Sequence, residues 1–580
     1  MFRVIVALIL LTTTSLAQNA SQSLHSLIDR EWEYTLEHDP LRASWLGDQR
    51  YNDRLPDVSL EAAASEHAHN QQVLKELAGI PRAQLSAQDQ LNYDLFERNY
   101  KSAVERYDFK LFLRPVHHME FSIQTWGGFA NNLSFRNIKD YEDWIARLRA
   151  YPRAVEQTTA VLREGLRQRV LYPKVILKRV STQLADVTTA SPDATSFYTP
   201  FTKFPDSVSA NDRERLSASA RQVIANDIQP ALKKFQQFFE KEYFPASFDE
   251  VGTSQIPSGQ AAYAFTARDH TTTNLTPEQI HQLGLAEVKR IRAEMEKVKA
   301  EVGFKGSLTE FFTYLRSDPK FFYKTGDELL TAYRALSKTI DPKLPIVIRT
   351  IPRQPYGVEP IPMQMARDTT TAYYYQGTAD GKKPGTYYVN LYKPDSRPKW
   401  EMTALSIHEA VPGHHLQIAR SFELGEIPKF RRYSDYTAYV EGWGLYSESL
   451  GYDMGLYKDP YDRFGQLTYD MWRAVRLVVD TGMHSKHWTR QQAIDYFKDN
   501  AAKTELDIVN EIDRYIAWPG QALAYKMGQL KMLELRKKAE QTLGPKFDIR
   551  EFNDVLLGSG AVPLDTLEQI VNQWLATKQK

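Results

Sequence analysis

The sequence predicts a mainly helical protein that also carries a small β-sheet, and three observations lead there. Apolar residues recur at helical spacing through long stretches whose opposite faces are charged, two capping boxes mark helix starts, and two short stretches break the helical pattern. With 580 residues, 42% of them hydrophobic and 25% charged, the chain can bury a sizeable core.

The chain opens "MFRVIVALILLTTTSLAQNA": a positive Arg3, an apolar run from Val4 to Leu11, then small residues ending at Ala17. This reads as a cleavable export signal over residues 1–17, cut after Ala17, because the run is too short to span a bilayer. A helical N-terminal half follows over 18–255, with stretches such as "LEAAASEHAHNQQVLKELAGI" and "ANDRERLSASARQVIANDIQPALKKFQQFFEKEYF". The Gly/Ser/Pro-bearing stretch from Val251 to Gln260 is the expected break before a second half over 256–580, and the two halves can form one continuous domain.

In "NLTPEQIHQLGLAEVKRIRAEMEKV", Thr276 is the expected N-cap, Pro277 opens the first turn and Gln279 reaches back. Ile280, Leu283, Val288, Ile291 and Met295 follow along one face. "PIVIRTI" (Pro345 to Ile351) and "TYYVNLY" (Thr386 to Tyr392) read as strands; in the second, Tyr387, Val389 and Leu391 alternate with Tyr388, Asn390 and Tyr392. From Trp400 the pattern is helical again, with a capping box at Thr489 to Gln492.

Several function classes are excluded. A net charge of +1 offers no general attraction for phosphate backbones or anionic lipid, so nucleic acid is not an expected partner. The sequence has no cysteine, which removes disulfides, thiolate nucleophiles, Cys-based zinc sites and a lipidated Cys. It holds no Gly-x-Ser-x-Gly elbow and no Gly-rich phosphate loop. A metal would have to sit on His and carboxylates.

"SIHEAVPGHHLQ", Ser406 to Gln417, supplies such groups. On a straight helix His415 lies about 20° from the face of His408, while His414 lies about 240° round it. Pro412, however, lacks a donor and clashes with the His408 carbonyl, and Gly413 admits unusual dihedrals, so a bulge is expected. A bulge would return His414 to the His408 face; His414 is the expected second ligand, with His415 open. A third ligand is expected from "SDYTAYVEGWGLYSESLG", where Ser434 or Asp435 would cap a helix carrying Glu441 and Glu448 on one face. Glu441 would bind the metal, while Glu448 would ligate or orient a His ring.

"HEAVPGHHLQ" followed by "EGWGLYSE" resembles a bacterial domain-of-unknown-function family marked by His-Glu-Ala-x-Pro-Gly-His-His, whose members are taken to be zinc metallopeptidases. That family is distantly similar to the helical Glu-liganded zincins, among them thimet oligopeptidase, carboxypeptidase Taq and angiotensin-converting enzyme. "LTPEQIHQLGLAEVKRI", "RLVVDTGMHSKHWTRQQAIDY" and "PGQALAYKMGQLK" extend the resemblance, which runs from about Leu24 to the C-terminus. The spacing between the two His ligands departs from the wider zincin pattern.

The resemblance implies a two-lobed helical zincin with a deep cleft and Zn2+ on His408, His414 and Glu441. Glu409 would be the general base, taking a proton from a metal-activated water and passing it to the leaving amine. Tyr525 and His484 would stabilise the oxyanion. An edge strand at "TYYVNLY" would pair with an extended peptide through Tyr388 to Asn390, and Arg514, Gln521 and Lys526 would hold a substrate carboxylate. The expected protein is a periplasmic or secreted oligopeptidase, dipeptidase or carboxypeptidase acting on short peptides. The competing readings are a zinc hydrolase of another amide or ester, such as a cell-wall fragment, and a non-catalytic periplasmic peptide-binding protein. His117-His118 and the aromatic cluster Ala372 to Tyr375 read as packing.

Overall fold

A computed structural model describes residues 2–119, 122–366 and 370–579, with side chains from residue 19 onward except at 364 and 365. The export-signal reading over residues 1–17 therefore falls outside the described side chains. Among the described residues no helix is long and apolar enough to cross a membrane. The protein is mainly helical, and the chain divides into two compact units: Met1–Gly259 with Pro428–Phe430, and Gln260–Ile427 with Arg431–Lys580.

The first unit contains helices α1 (Leu60–Ala78), α2 (Ala87–Asp108) and α3 (Ile138–Gln168). Ser59 caps α1 by accepting from the Ala62 amide and Ser86 caps α2 by accepting from that of Asp89. Val73 and Leu77 of α1 bury against Tyr93 and Phe96 of α2. Further on, the helical run that starts at Ala210 continues through two π-helical segments, Ile224–Ile228 and Phe239–Tyr243, each shortly before a proline, Pro230 and Pro245. Widening the turn there accommodates a ring that has no N–H and would crowd an α-helical carbonyl.

The second unit holds α4 (Pro277–Glu301), α5 (Met402–Glu409), α6 (His414–Phe422), α7 (Thr437–Asp453), α8 (Pro460–Ser485), α9 (Arg490–Asn500), α10 (Glu505–Ala517) and α11 (Leu523–Leu543). Both expected capping boxes form, Thr276 with Gln279 at α4 and Thr489 with Gln492 at α9. Helix α7 is not capped as expected: its N-cap is Tyr436, which makes no side-chain cap bond, so neither Ser434 nor Asp435 takes that place.

Three strands form the sheet, β1 (Tyr356–Pro360), β2 (Ala372–Tyr375) and β3 (Gly385–Val389), in the order β1-β3-β2. β3 pairs parallel with β1, Tyr356 opposite Gly385, and antiparallel with β2, Ala372 opposite Val389. The expected alternation holds within β3, where Tyr387 and Val389 are buried and Tyr388 half-buried, but the strand ends at Val389, and beyond it Asn390 is buried and Leu391 half-buried. Its inner face packs on Met402, Ala404 and Leu405 of α5, which places the sheet against the helix that ends in His408 and Glu409.

Two strand expectations are corrected. "PIVIRTI" forms no strand: Asp341–Ile346 is a 3-10 helix, and the Val347 and Ile348 amides both turn back to the Leu344 carbonyl. Pro345 offers no donor to a ladder, and Val347 and Ile348 bury both side chains in the turn. β3, moreover, is central rather than an edge. Tyr388 lies between Glu359 and Tyr373, and the Asn390 amide donates to the Thr371 carbonyl, so this backbone is already paired and cannot add a substrate strand.

Candidate metal centre

Helix α5 stops at Glu409, Ala410–Gly413 forms a turn with a cis Val411–Pro412 bond, and α6 starts at His414. The expected bulge is thus a full interruption. The Gly413 amide donates to Ile407 O at 2.9 Å and the His415 amide to Ala410 O at 3.1 Å, closing wider loops than a helical turn. A Cβ on Gly413 would lie 1.9 Å from His408 O, so only glycine fits. The indole of Trp443, on α7, donates to Pro412 O at 2.8 Å and ties the turn to that helix.

The interruption brings His408 and His414 together, their ring centroids 4.7 Å apart and their planes at 87°. The Nε2 atoms of both lie 3.5 Å from Glu441 Oε2. Ligand atoms of these three residues all fall within 4.8 Å of one another, a group that could hold a metal ion. Two imidazole nitrogens and one carboxylate oxygen form a donor set that suits zinc and leaves a position open.

Helix α7 reaches this place through glycine contacts. A Cβ on Gly442 would meet Gly528 Cα of α11 at 2.5 Å, and one on Gly528 would meet Ala438 O at 1.8 Å. A Cβ on Gly444 would lie 2.7 Å from His408 Cε1, so this glycine makes room for the ring.

Glu448 stands behind His408, which donates from Nδ1 to Glu448 Oε1 at 2.9 Å and so turns Nε2 toward Glu441. Burial alone would lower the His408 pKa, but the Glu441 and Glu448 carboxylates outweigh it and push it up to about 9. Burial would raise the Glu441 carboxyl, yet His414 and His408 hold it well below its ordinary range. His415 is spent elsewhere: Nε2 donates to Gln354 O at 3.0 Å and Nδ1 accepts from the Tyr374 hydroxyl at 2.9 Å. Burial lowers its pKa to about 4, so it stays neutral. The structure brings His414, not His415, to the cluster.

Glu409, adjacent to His408, is half-buried, and among the described residues none hydrogen-bonds to its carboxylate. Tyr525 sits half-buried in the first turn of α11; burial and the Glu441 charge keep its phenol protonated by raising its pKa. Arg514 Nη1 donates to Gln521 Oε1 at 2.6 Å, and both side chains act on the Tyr525 phenol to lower its pKa, so these three expected residues come together.

Three other expectations do not fit. His484 is buried with Nε2 donating to Tyr515 O at 3.0 Å, which removes that nitrogen from an oxyanion role. Lys526 is fully buried and its ammonium is held by Asp470 at 2.6 Å and Glu287 at 3.0 Å, leaving nothing for a substrate carboxylate. The Asn390 side chain donates to Ala366 O and Thr370 O and accepts from the Tyr392 amide, so it holds its own loop. Tyr388 keeps a half-buried ring 5.1 Å from that of Tyr373. Sequence reasoning assigned no role to Trp443 or Arg476, although the first lies within "EGWGLYSE" and the second opens "RLVVDTGMHSKHWTRQQAIDY".

No curated protein matches the chain. Among solved structures it is similar to a "putative lipoprotein" from Colwellia psychrerythraea, with 31% identity, a TM-score of 0.91, and coverage of 96% of this chain and 100% of that one. A second, of unknown function and from Shewanella oneidensis, shares the fold at 17% identity and a TM-score of 0.71, covering 95% and 99%. The family model described as bacterial protein of unknown function (DUF885) matches residues 40–571, and the chain belongs to that family.

Proposed function

We propose that this protein is an exported zinc metallopeptidase that hydrolyses short peptides. The observation that carries the reading is the convergence of His408, His414 and Glu441 beside a Glu409 carboxylate to which no described residue hydrogen-bonds. His408, His414 and Glu441 would hold the metal. When bound, zinc supplies a Lewis acid for the scissile carbonyl and acidifies water. Glu409 takes a proton from the attacking water and returns it to the leaving amine. Glu448 keeps the His408 ring in its ligating orientation. The protonated Tyr525 hydroxyl donates to the oxygen on which charge develops, and Arg514 with Gln521 orients the substrate. Export to the periplasm or beyond is supported by the N-terminal pattern and by the description of the relative from Colwellia psychrerythraea as a "putative lipoprotein".

The test is metal content by plasma mass spectrometry on the wild type and Glu409→Gln, with cleavage of a mixed short-peptide library by both. One zinc per chain in each protein and turnover in the wild type alone is the expected result. A chain without zinc would sink the reading. Zinc without peptide turnover would leave another amide or ester, or binding without chemistry.

A further inference from the structure

A guanidinium lies against the face of Tyr525. Arg476, on α8 and 5% exposed, places its Cζ 4.3 Å from the centroid of that ring. Its Nε donates to the Tyr515 hydroxyl at 2.8 Å and its Nη2 to Glu511 Oε2 at 3.0 Å. Nη1 is buried and, among the described residues, meets no hydrogen-bonding partner. What surrounds this cation instead is aromatic: Tyr525 first, then Trp472 at 5.3 Å and Tyr515 at 5.6 Å. Leaving a charged donor unfilled is costly, and the negative face of a ring is what offsets that cost here.

The cation cannot drift, because its partners are themselves fixed. Glu511 Oε2 accepts from the Tyr515 hydroxyl at 2.6 Å and from Arg514 Nη2 at 3.0 Å as well as from Arg476. Burial would raise the Glu511 carboxyl, but Arg514 and Arg476 bring it down to about 2, so it stays anionic. The Trp472 indole adds a bond to the Tyr515 hydroxyl at 3.3 Å. Arg476, Glu511, Tyr515 and Arg514 thus form one hydrogen-bonded platform built from α8 and α10. Tyr525 belongs to another helix, α11, and the stack ties it to this platform.

We infer that Arg476 is a positioning residue for Tyr525: stacked on the ring, it holds the hydroxyl where it can donate to the substrate oxyanion. This rests on the peptidase reading above. A hydroxyl that must meet a developing charge loses its value when it moves. A displacement of about 1 Å can cost on the order of 100-fold in rate.

The experiment is a double-mutant cycle on zinc-loaded protein with one short peptide: wild type, Arg476→Met, Tyr525→Phe and the double variant, with Arg476→Lys beside them. Metal content and thermal unfolding are followed on each. Tyr525→Phe is expected to lower kcat by about 100-fold, the effect of removing one oxyanion donor. Arg476→Met should lower kcat by about tenfold while KM stays within about twofold, and Arg476→Lys, which keeps a cation on the ring, should recover part of the loss. In the Tyr525→Phe background Arg476→Met should change kcat by less than about twofold, because the group it positions is gone. The same loss in both backgrounds, or an unchanged kcat in the single variant, overturns the inference. If Arg476→Met fails to fold, Arg476→Lys in the two backgrounds makes the same comparison. Absence of wild-type turnover would remove the peptidase reading and this inference with it, whereas additive losses remove the inference alone.

Discussion

His408 Nδ1 and Glu448 Oε1 stand 2.9 Å apart in the buried interior, one helix ending one residue past the histidine and another carrying the carboxylate. The bond commits one ring nitrogen and leaves the other to face Glu441. Replacing Glu448 with Gln keeps the volume but allows the amide to present its donor to the ring. Zinc affinity, measured by competition with a chromophoric chelator, is expected to fall by about 10- to 100-fold with the fold intact. An unchanged affinity would separate Glu448 from the metal centre.

His414 and His415 should part in their effects. His414→Ala is expected to abolish stoichiometric zinc binding. His415→Ala should keep it while losing about 1–3 kcal/mol of stability, because the Tyr374 hydroxyl and Gln354 carbonyl lose their partner. Metal content together with denaturant unfolding reads both. Zinc lost from the second variant alone would reverse the ligand assignment.

The closeness of α7 and α11 predicts a steric effect beside the candidate ligand Glu441. Gly528→Ala would put a methyl 1.8 Å from Ala438 O, which the helices can relieve only by separating. A loss of about 1–3 kcal/mol is expected in denaturant unfolding, with weaker zinc binding because Glu441 rides on α7. Full stability in this variant would show that the two helices do not need that contact.

Asp480 provides a pH test on a group outside the candidate metal cluster. It is fully buried, accepts from the Tyr263 hydroxyl at 2.6 Å and from the Gly520 amide at 3.1 Å, and burial raises its pKa to about 7 against 3.8 for the free side chain. Below about pH 3.8 both folded and unfolded chains hold the proton, so the group makes no difference. Between about 3.8 and 7 the unfolded chain gives it up first, so stability falls as pH rises, by as much as roughly 4 kcal/mol, and then levels off. Asp480→Asn should remove this slope. Parallel pH–stability curves for the two proteins would rule it out.

Helices whose ends are written in neighbouring residues were legible in the sequence. Thr276 with Gln279 and Thr489 with Gln492 are capping boxes whose partners lie within one turn, and both form. Tyr387 and Val389 bury one face of a strand for the equally local reason that side chains alternate. Val347 and Ile348 show the limit, since a short apolar pair buries itself as well in a turn as in a ladder.

By itself, the sequence determined a mainly helical chain, a helix distorted at Pro412-Gly413, and a supply of His and Glu at a spacing that a metal could use, because these depend on bonds and clashes a few residues apart. Only the tertiary structure decided between His414 and His415, made β3 central, spent Lys526 on Asp470 and Glu287, and set Arg476 under Tyr525. Each of those outcomes depends on which groups distant in the chain satisfy a buried donor, acceptor or charge first, and that competition is settled when the helices pack.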